Sequence, residues 1–348
     1  MLKYSIRRLL IMIPVILAAS FITFTLSSMS TDPVETYRVT LQQQAGERDL
    51  KPEDVENSVE LYAQKYYYDR SFPERYWLWL TGFGDDRGDM GIIQGEFGPS
   101  TRGDSFDIGS ELAKRVYPTF KLIFAGSVFS IGLAMIFGVI SAVRQYRMVD
   151  YVLTTVGFVC LAMPTFWFAA VVKGLGVSFN KSTDTSFFGT VNDRSQAGTA
   201  DFTTFDHFMD QLGHLVLPTI VLMLTGYAAA SRYQRSAMLE VLHSDYVRLA
   251  RAKGVPNRTV VRRHALRNAL IPMATLAPAA IVLSITGAIL TEAIFNWDGM
   301  GRFFSTSLTR GDTFAIQAFL IFSGVLTVIA VLISDLLYGV LDPRIRYE

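Results

Sequence analysis

The sequence predicts an all-α integral membrane protein with six transmembrane helices. Half of the 348 residues are hydrophobic, and mean hydropathy is +0.30. Six windows contain no Asp, Glu, Lys or Arg: 9–29, 122–143, 151–172, 215–231, 269–291 and 313–334. The charge of the segments between them alternates in sign. A helix needs about 20 apolar residues to cross a hydrocarbon layer of about 30 Å. Five windows meet that length. The fourth extends through His214 and Arg232, whose polar ends can reach the interfaces.

The first window follows Lys3, Arg7 and Arg8, as the apolar core of a signal peptide would. It is longer than such a core, and no small-x-small cleavage site follows, so it reads as an uncleaved first helix. The only cysteine, Cys160, falls in the third window. It excludes an intrachain disulfide and a cysteine metal centre.

The positive-inside rule orients the spans. Sixteen basic residues lie in the N-terminal segment, the 2–3 and 4–5 loops and the C-terminal tail. Nine of them are in the 4–5 loop: Arg232, Arg235, Arg248, Arg251, Lys253, Arg258, Arg262, Arg263 and Arg267. Residues 30–110 instead carry eight basic and sixteen acidic residues. Both termini are therefore expected in the cytoplasm. The chain divides into an N-terminal segment with the first span (1–29), an extracytoplasmic cap (30–111) and a core with spans two to six (112–348).

Within the cap, Val55–Phe72 reads as a helix. Tyr76, Trp77 and Trp79 read as interfacial aromatics, and glycines from Gly82 to Gly103 as loop. Pro164 and Pro278 are expected to kink spans three and five. The charged residues nearest the spans, Lys173, Glu292 and Asp335, fall at their ends. They offer no proton relay of the kind a secondary carrier would need.

Catalytic signatures are missing. In "GLGVSFNKST" no glycine precedes Lys181 as a P-loop requires, and neither H-E-x-x-H nor G-x-S-x-G occurs. A membrane-embedded hydrolase would therefore lack a nucleophile–base pair. Asp206, His207, Asp210 and His214 in "DHFMDQLGH" share a helical face and form a weak metal candidate. Their place where a loop enters span four favours an interfacial role.

The 4–5 loop has internal order. Ser244 or Asp245 can cap a short helix that carries Tyr246, Leu249 and Ala250 on one face. Gly254 stops the helix and Pro256 forbids its continuation. Asn257 is placed to cap the next helix, which leads into span five. Positive charge alone would suit nucleic acid or anionic lipid. The small residues Ala250 and Ala252 suit a helix that sits in a partner's groove.

"DYVRLARAKGV…RRHALRNALIP" resembles the EAA loop of ABC importer permeases. "MLKYSIRRLLIMIPVILAASFITFTL", "HLVLPTIVLML" and "TEAIFNWDGMGRF" through the D-P-R-I-R end extend the similarity over nearly the whole chain. Together these stretches identify it as a member of the B-type permeases of the dipeptide, oligopeptide and nickel importers.

The resemblance implies the type I importer permease (MetI-like) fold, with an extracytoplasmic insertion between helices one and two. It implies a bacterial cell-membrane protein that moves di- or oligopeptides inward; relatives also carry nickel chelates, haem or glutathione. It implies an EAA coupling loop at 236–268, where Asp245, Tyr246, Ala250, Arg251, Ala252, Lys253 and Gly254 engage an ATPase. Glu292, Trp297, Gly301 and Arg302 correspond to an outer gate or binding-protein contact. The implied partners are a homologous C-type permease, two ABC ATPase subunits that use ATP and Mg, an extracytoplasmic binding protein and the bilayer, without nucleic acid. The chain itself would hold no cofactor and catalyse no reaction. His214 falls on the family's H-L-x-L-P pattern, and the acidic stretch 85–107 is longer than the family's.

Overall fold

The computed structural model describes residues 2–30, 33–48, 51–85, 88–103, 105–195 and 203–341. The D-P-R-I-R motif at 342–346 lies outside them. Backbone contacts divide the chain into two compact units. One comprises residues 1–2, 117–302 and 329–348; the other comprises 3–116 and 303–328.

The second unit begins with α1 (Leu2–Ser30), followed by α2 (Pro33–Arg48), α3 (Pro52–Lys65) and α4 (Phe72–Thr81). The helix expected over 55–72 thus ends at Lys65. Tyr67 takes a positive φ of 60°, its hydroxyl bonds Asp85, and a new helix starts at Phe72. Ser71 and Glu74 form a capping box, with the Ser71 N–H and hydroxyl both donating to Glu74 Oε2, at 3.0 and 2.8 Å. Trp79 and Tyr76 turn inward against α1. The Trp79 ring lies 5.1 Å from Phe24 of α1, and Tyr76 OH is 2.9 Å from Ser20 Oγ. Only Trp77 faces outward among the three. The glycine-rich stretch forms a two-strand ladder, β1 (Met90–Gly91) against antiparallel β2 (Glu96–Phe97). Arg102 then stacks between Phe106 and Phe303 and donates to Ser307 Oγ at 2.7 Å. Burial pulls its pKa below the usual arginine value, while the nearby Asp312 carboxylate pushes it back up.

Among the described residues, four helices of the chain are individually long and apolar enough to cross a membrane: α1, α5 (Ile108–Val143), α8 (Thr204–Leu242) and α13 (Thr313–Leu341). At a rise of about 1.5 Å per residue, the 39 residues of α8 extend about 58 Å. The shortness of its uncharged window is therefore no obstacle. α11 (Leu266–Phe295) runs as one helix through positions 272 and 278. Of Pro278 and Asp335 only the backbone is described.

The third span departs from expectation. It is a pair, α6 (Met148–Ala162) and α7 (Thr165–Thr183), bent by 107°. Met163 and Pro164 both take extended backbone there, and Pro164 serves as the N-cap of α7. A residue before proline is disfavoured in the α region, so the chain breaks at Met163 rather than merely kinking. Because α7 continues to Thr183, Lys173 sits within it and not at a helix end. Its ammonium donates to the Ile294 carbonyl at 2.6 Å, a partner that tolerates burial.

Candidate functional site

At the end of α8 the chain reverses into α9 (Asp245–Ala252). Ser244 has the extended backbone of an N-cap, but its hydroxyl turns back to the Val241 carbonyl at 2.6 Å. Asp245 in the first turn complements the helix dipole. At the other end the Gly254 N–H donates to Arg251 O and the Val255 N–H to Ala250 O, the two bonds of a Schellman stop. Gly254 takes φ +75°, as this motif requires.

One residue of α9 is fully buried beneath it. Val247 is fully buried among Ala142, Met238, Leu242, Val260, Ala265 and Ala269. Ala250 and Val255 pack partly against the same cluster. Tyr246 and Leu249 point outward at 42% and 56% exposure, flanked by exposed Arg248, Arg251, Ala252 and Lys253. Asn268 Nδ2 donates to Tyr246 OH at 2.8 Å and props that ring. Two large apolar side chains side by side on an eight-residue helix form a surface suited to a partner.

The return leg also differs from expectation. Pro256, not Asn257, is the N-cap of α10 (Asn257–Thr259). A π-helical segment, Val260–Ala265, then joins α10 to α11. Such wide turns are uncommon in regular helices and recur at functional sites.

A second feature ties down the same end of the bundle. Arg235 of α8 grips Asp150 with Nε to Oδ1 at 2.9 Å and Nη2 to Oδ2 at 2.8 Å. Ser141 at the end of α5 and the Tyr146 N–H also donate to this carboxylate. The pair escaped the sequence reading because Asp150 lies one residue outside the third uncharged window.

At the far end of α11, Glu292 is fully buried. Its Oε1 accepts from Thr119 Oγ1 at 2.7 Å, and its Oε2 from the Gly301 N–H at 2.7 Å and the Arg302 N–H at 3.2 Å. Those two amides open α12 (Met300–Thr309), so the carboxylate also caps a helix. Thr119 Oγ1 in turn accepts from the Met300 N–H at 2.8 Å. Trp297 is buried, with Nε1 donating to the Pro118 carbonyl at 3.1 Å and Lys121 Nζ 5.2 Å from its ring. A Cβ at Gly299 would come within 2.4 Å of Glu292 Oε2, which explains the glycine. Glu292, Trp297 and Gly301 thus hold the loop from inside. Asp298 and Arg302, 3.6 Å apart, form its accessible edge.

The weak metal candidate does not assemble. Asp206 closes a capping box with Thr203, Asp210 accepts from the Ser195 N–H and hydroxyl, and His214 Nδ1 lies 2.9 Å from the Asp210 carbonyl. Among the described residues no three His, Cys, Asp or Glu side chains come together as a metal would require.

The family described as "Binding-protein-dependent transport system inner membrane component" matches residues 134–347. The chain is 34% identical over 346 residues to the oligopeptide transport system permease protein OppB of Mycobacterium tuberculosis, covering 99% of each. It is 33% identical over 348 residues to the oligopeptide permease AppB of Bacillus subtilis, covering 100% of both chains. It is 31% identical over 359 residues to the dipeptide permease DppB of Escherichia coli, again covering 100% of both. A multi-pass helical chain with a short, apolar-faced helix projecting beyond its bundle belongs, on these matches, to the inner membrane components of binding-protein-dependent transport systems.

Proposed function

We propose that this chain is the B-type permease subunit of an ATP-driven peptide importer and that α9 is its coupling helix. The family and the oligopeptide and dipeptide relatives support the transport class and the peptide cargo. The observation that carries the coupling role is the division of labour on α9. Val247 fastens the helix to α5, α8 and α11, while Tyr246 and Leu249 stay free to enter a partner's groove. A push on the outer face is then delivered through Val247 into three long helices at once. Arg235 and Asp150 extend the same rigid base to α6.

In this reading ATP and Mg are bound by two partner ATPases, and the chain forms the pathway with a homologous C-type permease. An extracytoplasmic protein delivers peptide near the loop that Glu292 anchors, with Asp298 and Arg302 offered to it. The basic loop faces the cytoplasm, α11 completes six spans, and residues 30–111 form an extracytoplasmic insertion.

The test is peptide uptake into proteoliposomes containing both permeases and the binding protein, with and without the ATPases. Uptake that needs both ATPases and ATP is expected. Uptake that persists when the ATPases are omitted would overturn the assignment.

A further inference from the structure

A cavity of about 220 Å³ opens among α5, α6 and α8 at the end of the bundle that carries α9. Leu239, one of its lining residues, also packs against the cluster that holds Val247. The cavity combines two kinds of wall. Phe137, Leu153 and Phe158 are apolar, whereas Arg232, Ser236 and Thr154 bring a cation and hydroxyls. Arg235 also lines it, but its charge is already matched by Asp150.

Arg232 is different. Its guanidinium lies 5.2 Å from the Phe158 ring centroid, and among the described residues no carboxylate pairs with it. Its positive charge is therefore uncompensated at the mouth of the cavity. The Phe158 ring holds this cation beside an apolar wall. A soluble anion would use the charge but gain nothing from Phe158 and Leu153. A molecule with an anionic head and an acyl chain uses both.

We propose that this cavity binds an anionic phospholipid, with the phosphodiester on Arg232 and the start of an acyl chain along Phe158 and Leu153. Basic sites between membrane helices suit such head groups. The lipid would brace α6 against α8 next to the base of α9. The inference does not depend on the direction or cargo of transport.

The test is native mass spectrometry of the assembled importer in detergent, titrated with dioleoyl phosphatidylglycerol or dioleoyl phosphatidylcholine. Phosphatidylglycerol is expected to be retained preferentially, and Arg232→Gln to weaken that retention about fivefold. Ser236→Trp, which fills the cavity without altering charge, should do the same, and neither variant should change phosphatidylcholine retention. Equal retention of the two lipids by the parent, or undiminished phosphatidylglycerol on either variant, would overturn the proposal. So would displacement of the lipid by millimolar inorganic phosphate, which would assign the site to a free anion.

Discussion

Glu292 shows how one side chain can organise a loop. A buried carboxylate is costly unless its oxygens are bonded, and here three donors from two segments converge on it. Removing it leaves the Gly301 and Arg302 amides without their acceptor. Glu292→Ala is therefore expected to cost about 1–3 kcal/mol for the groups it orphans. Glu292→Gln should cost less than the alanine variant, because its Oε1 can accept both amides while its NH2 donates to Thr119 Oγ1. Exposed Asp298→Ala should stay within about 0.5 kcal/mol of the parent. Thermal midpoints followed by size exclusion would order the three variants, and a parent-like midpoint for Glu292→Ala would contradict the anchoring role. The sequence placed Glu292 and Trp297 in the outer loop but left open which way they faced. Their inward direction follows from Thr119 and Pro118, some 170 residues earlier in the chain, and no local pattern announces such partners.

On the scale of elements, α9 divides into legible and illegible parts. Its start, its glycine stop and the proline beyond are punctuation, because capping and positive φ are decided by a few neighbouring residues. Its rotation about its own axis is not, because the core it meets comes from α5, α8 and α11. Val247 is therefore the structural anchor although nothing in "DYVRLARAKG" distinguishes it from Leu249. Likewise Pro164 marked a perturbation in span three, but its 107° turn depends on where α7 finds packing. This geometry refines how coupling should be tested. Ala250 already packs partly against the cluster, so a charge there would disturb the fold as well as docking. Leu249→Glu is cleaner: the side chain is exposed, and the variant should assemble in the membrane yet lose ATPase co-purification and ATP-dependent uptake. Val247→Ala should lower stability by about 2 kcal/mol through lost apolar burial. Full transport by Leu249→Glu would show that this face does not dock.

Across the whole molecule, the formal charge of +1 conceals a strong polarity. Bilayer insertion is sensitive to Lys and Arg in short flanking loops, and the segments that flank the bundle differ sharply in just those residues. The resulting expectation puts α9 and the N-terminus on the cytoplasmic side and α3 on the other. The bent α6–α7 pair makes this a demanding expectation, since a helix pair turned by more than a right angle can either cross or return to its own side. If it crosses, the chain carries six spans and the acidic 30–111 region lies opposite the basic loop. Single cysteines in a Cys160→Ser background can decide the matter. Leu61→Cys on α3 and Arg251→Cys on α9 both replace exposed side chains, so neither should disturb packing. A membrane-impermeant maleimide should label the first in intact cells and the second only after permeabilisation. A third cysteine, Ser182→Cys near the end of α7, should behave like Leu61→Cys if the bent pair crosses. Labelling of Ser182→Cys only after permeabilisation would mean that the pair returns, and the six-span count would fall.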